Sequence, residues 1–196
     1  ISLSSYKGKW IVFFSHPGDF SPICTTEIIG LAKADTYFKK INTELIGISV
    51  DSLNSHLAWL YDIYLKTGLI VNFPIIADQN GVIARKYGMI SNDVSSTETV
   101  RNIFIIDDKG IIRSIFVYPM NIGRYIPEIL RTVTALQYSD QNNCMTPANW
   151  SPGNPMIVPP PKTFNALRER NESINKNRNG MSWYLSFKNS ETKKLE

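Results

Sequence analysis

Of the two cysteines in this 196-residue chain, Cys24 stands where a helix should begin. It lies in the stretch His16-Pro17-Gly18-Asp19-Phe20-Ser21-Pro22-Ile23-Cys24-Thr25-Thr26-Glu27. Ser21 there can act as an N-cap and Pro22 as the first helical residue, which puts Cys24 in the first turn. N–H groups in a first turn have no partner inside the helix, and with the helix dipole they favour an anionic sulfur. A thiolate is the nucleophilic form of cysteine, so the chemistry open to this stretch is attack on an electrophile. The competing reading is that Cys24 is a small buried hydrophobe, that Ser21 does nothing but cap, and that Glu27 is a solvated partner of the dipole.

The elements that must position Cys24 follow from hydrophobic periodicity. Residues 10–14, Trp-Ile-Val-Phe-Phe, have the character of a strand buried on both faces, which should end near Ser15. The helix holding Cys24 should run to about Lys40, with Ile28, Leu31, Tyr37, Phe38 and Ile41 as its apolar stripe. Residues 45–50 read as a second buried strand, and Asp51 or Ser52 as the cap of a helix carrying Leu57, Leu60, Tyr64 and Leu65. A short strand over 75–77 and a short helix over 82–87, stopped by Gly88, come next. Residues 102–106 and 111–118 form a hairpin signal across Asp107-Asp108-Lys109-Gly110. A last core helix is expected over 122–136, through Ile122, Ile126, Ile129, Leu130 and Val133.

This order predicts an α/β sheet with helices on both faces. From Tyr138 the periodicity gives way to polar residues and to prolines at 147, 152, 155, 159, 160 and 161, although 164–174 keeps a helical pattern. The division expected is a domain over 1–137 and a carboxy-terminal arm over 138–196 with no compact core of its own.

A hydrophobic content of 43% suits one domain with a substantial core plus an appendage. The net charge of +4 is modest and scattered, except for Lys188, Lys193 and Lys194, which read as a solvated tail. No aromatic-rich basic groove supports a nucleic-acid site. No apolar run approaches the ~18 residues of a membrane span, and no signal-peptide pattern opens the chain. A cytoplasmic protein is therefore expected. The chain enters its first strand almost at once from Ile1, so a further segment before it is also expected. Cys24 and Cys144 make neither a disulfide framework nor a metal-ligand spacing, so reduced thiols, no metal and no cofactor are the expectation.

The pattern Pro17-xxx-Ser21-xx-Cys24 resembles the peroxiredoxin signature, in which Thr is commoner than Ser at the middle position. The resemblance continues through Val50-Asp51-Ser52, Phe73-Pro74-Ile75-Ile76-Ala77-Asp78, Arg101 to Asp107, Tyr118-Pro119-Met120, Gly123-Arg124 and Thr146-Pro147-Ala148-Asn149-Trp150. His16, Tyr118-Pro119-Met120 and Val158-Pro159-Pro160-Pro161 place it nearest the one-cysteine class, archaeal members included. The resemblance implies a thioredoxin-like fold with a carboxy-terminal extension, and a thiol peroxidase that reduces hydrogen peroxide and organic hydroperoxides at Cys24. It also implies that Arg101 is the catalytic arginine, that Pro17 shields the sulfur and that Glu27 orients Arg101. Arg124 is implied as a second active-site arginine, and His16 as a hydrogen-bonding group near the sulfur.

By the same resemblance an external thiol recycles the Cys24 sulfenic acid. Thr146 occupies the place of the resolving cysteine in two-cysteine members, with Cys144 two residues earlier, so Cys144 is either a displaced resolving residue or an ordinary thiol on a mobile arm. A homodimer formed by exchange of arms is expected, with dimers joining into a ring of ten as the larger assembly. The rival functions are weaker. A thioredoxin-type oxidoreductase needs a cysteine where Ser21 stands, and a cysteine hydrolase would need a partner motif that neither His16 nor His56 has. A redox-responsive assembly or chaperone-like protein remains as the reading of a different class.

Overall fold

The computed structural model describes residues 1–189, which fall into two compact units, one of residues 1–126 and one beginning at Pro127. In the first unit β1 (Trp10–Ser15) is buried at every position, as its unbroken apolar run requires. It is flanked by β2 (Thr43–Ser49) and β4 (Arg101–Ile106). With β3 (Ile75–Ala77) and β5 (Ile112–Tyr118) they make a five-stranded sheet of order β3-β2-β1-β4-β5. β1, β2 and β3 run parallel, whereas β4 is antiparallel to β1 and to β5.

The register aligns Phe13 with Ile46 on one side and Phe104 on the other. Alternation then gathers Ile11, Phe13, Ile46, Ile48, Phe104 and Ile106 on one face, where Ala84 and Met89 complete a core cluster. Phe14 points to the other face beside its register partner Gly47, and meets Phe73 edge to face. A Cβ at Gly47 would lie 3.1 Å from the Phe14 ring and 3.2 Å from Ile75, so the glycine makes room for the aromatic ring.

α1 (Pro22–Lys40) buries Cys24, Glu27, Ile28, Leu31, Asp35 and Phe38, a stripe at helical spacing. The expected stripe is corrected at its end: Asp35, paired to Lys39 at 2.6 Å, takes the inner position, while Tyr37 is on the surface and Ile41 is the C-cap. α2 (Leu53–Thr67) is capped by the Ser52 hydroxyl, which accepts from the Ser55 N–H, and ends at Gly68 with φ of 70°. Its buried residues are His56, Trp59 and Ile63, and the expected Leu57, Tyr64 and Leu65 are exposed instead. α3 (Val82–Lys86) is one short turn. The β4–β5 hairpin is closed by Asp107, whose carboxylate accepts from Lys109 N and Ile111 N, with Gly110 at φ of 83°.

In the second unit α4 (Ile126–Asn142) starts four residues later and ends six later than periodicity suggests, leaving Ile122 exposed in the preceding loop. Pro127 fits the first turn, where its missing N–H costs nothing. Past α4, β6 (Met156–Ile157), α5 (Phe164–Asn177), β7 (Gly180–Ser182) and β8 (Leu185–Lys188) follow, with the strands in one small sheet of order β6-β8-β7. Ala135, Cys144, Trp150 and Met156 form a buried cluster with Tyr138 against it. The expectation of an arm without a core is thereby corrected: the prolines stop helices, but Trp150 and the β6–β8 pairing supply a nucleus. Lys188 lies in β8 and donates to the Asn142 carbonyl rather than belonging to a free tail, and Lys193 and Lys194 lie outside the described residues.

Candidate active site

Cys24 sits in the first turn of α1 and is fully buried. Ser21 has the extended backbone of an N-cap, but its side chain makes no cap hydrogen bond, which corrects the expected capping role. Its carbonyl instead accepts from the Thr25 N–H at 2.9 Å and the Thr25 hydroxyl at 2.8 Å. The hydroxyl of Ser21 and the first-turn N–H groups are therefore not consumed by each other. Phe20, just before Ser21, has φ of 58°, a left-handed conformation unusual for a bulky residue.

Strand β4 delivers the arginine. Arg101 is its first residue, 2% exposed, and its Nη1 donates to the Cys24 sulfur at 3.4 Å and to Glu27 Oε2 at 2.7 Å. Its Nε donates to the Met120 carbonyl at 2.9 Å, so the guanidinium is held from two directions. Glu27, one turn after Cys24, is buried and also receives Arg124: the backbone N–H and Nε donate to Oε1 at 2.9 Å each, and Nη2 to Oε2 at 2.6 Å. Arg124 Nη1 reaches back to the carbonyls of Ser15 at 2.9 Å and Asn102 at 3.2 Å, and its guanidinium lies 5.2 Å over the Phe14 ring.

Two guanidiniums and one carboxylate leave this buried group one positive charge in excess. A thiolate at Cys24 would neutralise it, and an unpaired buried charge is costly enough to make that balance a design constraint. The arrangement thus sets a rigid donor fork against the Cys24 sulfur, a geometry suited to stabilising the charge that leaves a polarised bond under attack.

Pro17 is buried in the loop after β1. His16 is brought near the site but not to the sulfur: its Nε2 pairs with Asp19 at 3.0 Å, and its Nδ1 is buried without a partner. Asp19 is held on its other side by His56 Nδ1 at 2.8 Å. Burial by itself would raise Asp19, but hydrogen bonds from His16, His56 and Ser55 hold it well below the usual carboxylate range. These three residues, His16, Asp19 and His56, with ligand atoms within 4.8 Å of one another, are also the described group that could hold a metal ion, although each contact is a satisfied hydrogen bond. Asp19, Thr25 and the Met120 carbonyl were not legible as site groups; the one available signal was a His-x-x-Asp spacing. Cys144 is 5% exposed, packed in the cluster of Ala135, Trp150 and Met156.

A thioredoxin-like sheet with a helix-start cysteine under a buried arginine defines a thiol peroxidase of the peroxiredoxin class. Comparison with known proteins agrees. Residues 1–115 match the AhpC/TSA family and residues 135–173 the C-terminal domain of 1-Cys peroxiredoxin. The chain is 52% identical over 188 residues to Peroxiredoxin 2 of Caldanaerobacter subterraneus subsp. tengcongensis, covering 96% of this chain and 85% of that protein. It is 49% identical to Peroxiredoxin 2 of Picrophilus torridus, covering 94% and 89%. Among solved structures it superposes with a TM-score of 0.82 on the yeast mitochondrial 1-Cys peroxiredoxin, whose thiol resolving runs through glutathione and thioredoxin systems; identity is 39%, with 95% and 89% of the chains covered. Peroxiredoxin 6 of Arenicola marina, in a cysteine-to-serine mutant form, gives 0.83 at 29% identity, with 98% and 91% covered. The chain belongs to the AhpC/TSA family of peroxiredoxins. It is a thiol-dependent peroxidase, and among the described residues no helix is long and apolar enough to cross a membrane.

Proposed function

We propose that Cys24 is the peroxide-reducing thiolate and that it works by a one-cysteine cycle on hydrogen peroxide and small organic hydroperoxides. The sulfur attacks the terminal oxygen in line with the O–O bond; that bond breaks, its electron pair leaves as alkoxide or hydroxide, and protonation gives alcohol or water. Cys24 becomes a sulfenic acid. Arg101 and the Ser21 hydroxyl orient the two oxygens and stabilise the departing charge, with Pro17 excluding water, while Glu27 and Arg124 fix Arg101. An external thiol then forms a mixed disulfide with release of water, and a second thiol frees Cys24. The thiol is of the glutathione or thioredoxin kind used by the yeast relative.

The observation that carries this reading is the Arg101 Nη1 contact with the Cys24 sulfur inside a buried group of net positive charge. Burial of Cys144 supports the one-cysteine cycle over one in which Cys144 resolves Cys24. The test is peroxide consumption with excess dithiothreitol: many turnovers for the natural protein and for Cys144→Ser, none for Cys24→Ser. Turnover in Cys24→Ser overturns the assignment, a Cys24–Cys144 disulfide as main product of one peroxide equivalent restores the two-cysteine reading, and a single equivalent without recycling favours a redox-responsive assembly or chaperone-like protein. With peroxide alone, the Cys24 peptide should gain two and then three oxygens.

The same reading includes a cytoplasmic homodimer, and a ring of ten as its larger form, with residues 138–196 serving as the dimerisation arm beside the peroxidase domain of 1–137. Phe164, Trp183 and Tyr184 remain exposed in the second unit and supply apolar surface for a partner copy. Light scattering should give at least twice 22.2 kDa.

A further inference from the structure

Helix α2 grips the catalytic turn on both sides of Cys24. Before it, Asp19 is bonded to His56 at 2.8 Å, and its backbone N–H donates to Asp51 at 3.1 Å. After it, the Thr25 hydroxyl accepts from the Trp59 indole at 3.1 Å and donates its own proton to the Ser21 carbonyl at 2.8 Å. Between these two anchors lies Phe20 in its left-handed conformation, 56% exposed. The turn is thus held against a locally unfavourable backbone by contacts from a neighbouring helix.

We propose that Asp19 is a positioning residue for the peroxidase reaction, and that its ion pair with His56 is a latch whose release lets a bulky thiol reach Cys24. The proposal rests on the assignment of Cys24 made above. Cys24 is fully buried, so a peroxide and a protein or tripeptide thiol differ greatly in the opening they need.

The charge states follow from the partners. Asp19 is anionic. His56 offers Nδ1 to Asp19 and Nε2 to the Ile76 carbonyl at 3.4 Å, so both nitrogens have acceptors and the imidazolium fits. Burial alone would push His56 down, but the hydrogen bond and charge of Asp19, the Ile76 carbonyl and the charge of Asp51 raise it above its ordinary value. His16 gives Nε2–H to Asp19 and has no acceptor at Nδ1, so it is the neutral tautomer; burial lowers it despite Asp19, with Arg124 and His56 acting in the same direction. The charged groups facing the latch are therefore Asp51 and Arg124, with His16 beside them as a neutral titratable group. A raised histidine gives its stabilisation below the unfolded value and loses it as pH climbs through the folded one. The latch is shut below the ordinary imidazole value and loosens as pH climbs through the raised one.

The experiment compares two rates at Cys24 in the full chain: alkylation by a bulky maleimide and oxidation by hydrogen peroxide. Their ratio cancels the thiolate fraction and reports opening. In the natural protein the ratio should rise at least about tenfold between about pH 6 and pH 9. Asp19→Asn and His56→Gln should start high and lose that pH dependence, whereas Trp59→Phe should raise the ratio by a factor independent of pH. A flat ratio in the natural protein overturns the latch without recourse to any variant, as does an unchanged slope in His56→Gln. Peroxide turnover measured on the same samples separates this from failure of the Cys24 assignment, which would remove the oxidation rate itself.

Discussion

Glu27→Gln removes one charge while keeping nearly the same shape, and its effects can be worked from the contacts. The carboxylate is buried and accepts four hydrogen bonds, one from Arg101 and three from Arg124. A glutamine there turns one acceptor into a donor facing a guanidinium and leaves two buried cations without their shared counter-ion. Breaking a buried ion pair on one side costs about 3–5 kcal/mol. With a urea slope of ~2 kcal/mol/M, the unfolding midpoint should fall by about 1.5–2.5 M. Arg101 loses its charged partner and keeps the Met120 carbonyl and the Cys24 sulfur. Loss of an aimed donor costs about 10²–10³ in rate, and since the guanidinium is loosened rather than deleted, about 10² in kcat/KM for peroxide is expected. Urea denaturation followed by tryptophan fluorescence and stopped-flow peroxide reduction give the two numbers. A midpoint within about 0.3 M of the natural protein, with kcat/KM within about twofold, would refute the charge-sharing account of Glu27.

Arg101→Lys keeps the charge but cannot serve the Met120 carbonyl, Glu27 and the sulfur from one planar fork; kcat/KM for peroxide should fall by about 10²–10³ with little change in fold by circular dichroism. Gly47→Ala drives a methyl against Phe14 and Ile75, which should cost about 1–3 kcal/mol in a denaturant titration. Because Phe14 also carries the Arg124 guanidinium, the same variant should lower the peroxide rate, and an unchanged rate would show that Glu27 and the Ser15 and Asn102 carbonyls hold Arg124 without help from Phe14.

What the sequence made legible was whatever depends on local rules. β1, the start of α1 and the closing of the hairpin by Asp107 and Gly110 follow from apolar runs, a proline at a helix start and turn chemistry. Arg101 could be placed only by family resemblance, since nothing local brings residues 101 and 24 together. Hydrophobicity misread α2 because its inner face carries His56, a polar residue made buriable by Asp19, while Leu57, Tyr64 and Leu65 face out. The second unit was underestimated for the converse reason: its nucleus joins residues from 135 to 156 across turns, a pattern with no period to detect.

The excess positive charge of the Arg101–Glu27–Arg124 group has a bearing on how variants of such a protein are read. Serine at position 24 would stand for the reduced enzyme in shape, yet it sets a neutral hydroxyl against a buried group whose charges balance only with an anion. The substituted protein should therefore recruit a counter-ion from the buffer, chloride or a small carboxylate, and its melting temperature should depend on which anion is supplied. Aspartate at the same place carries its own charge and resembles the sulfinate. As a mimic of the oxidised protein it is electrostatically the more faithful of the two, and sulfinate itself becomes a form that the two arginines retain as an internal salt.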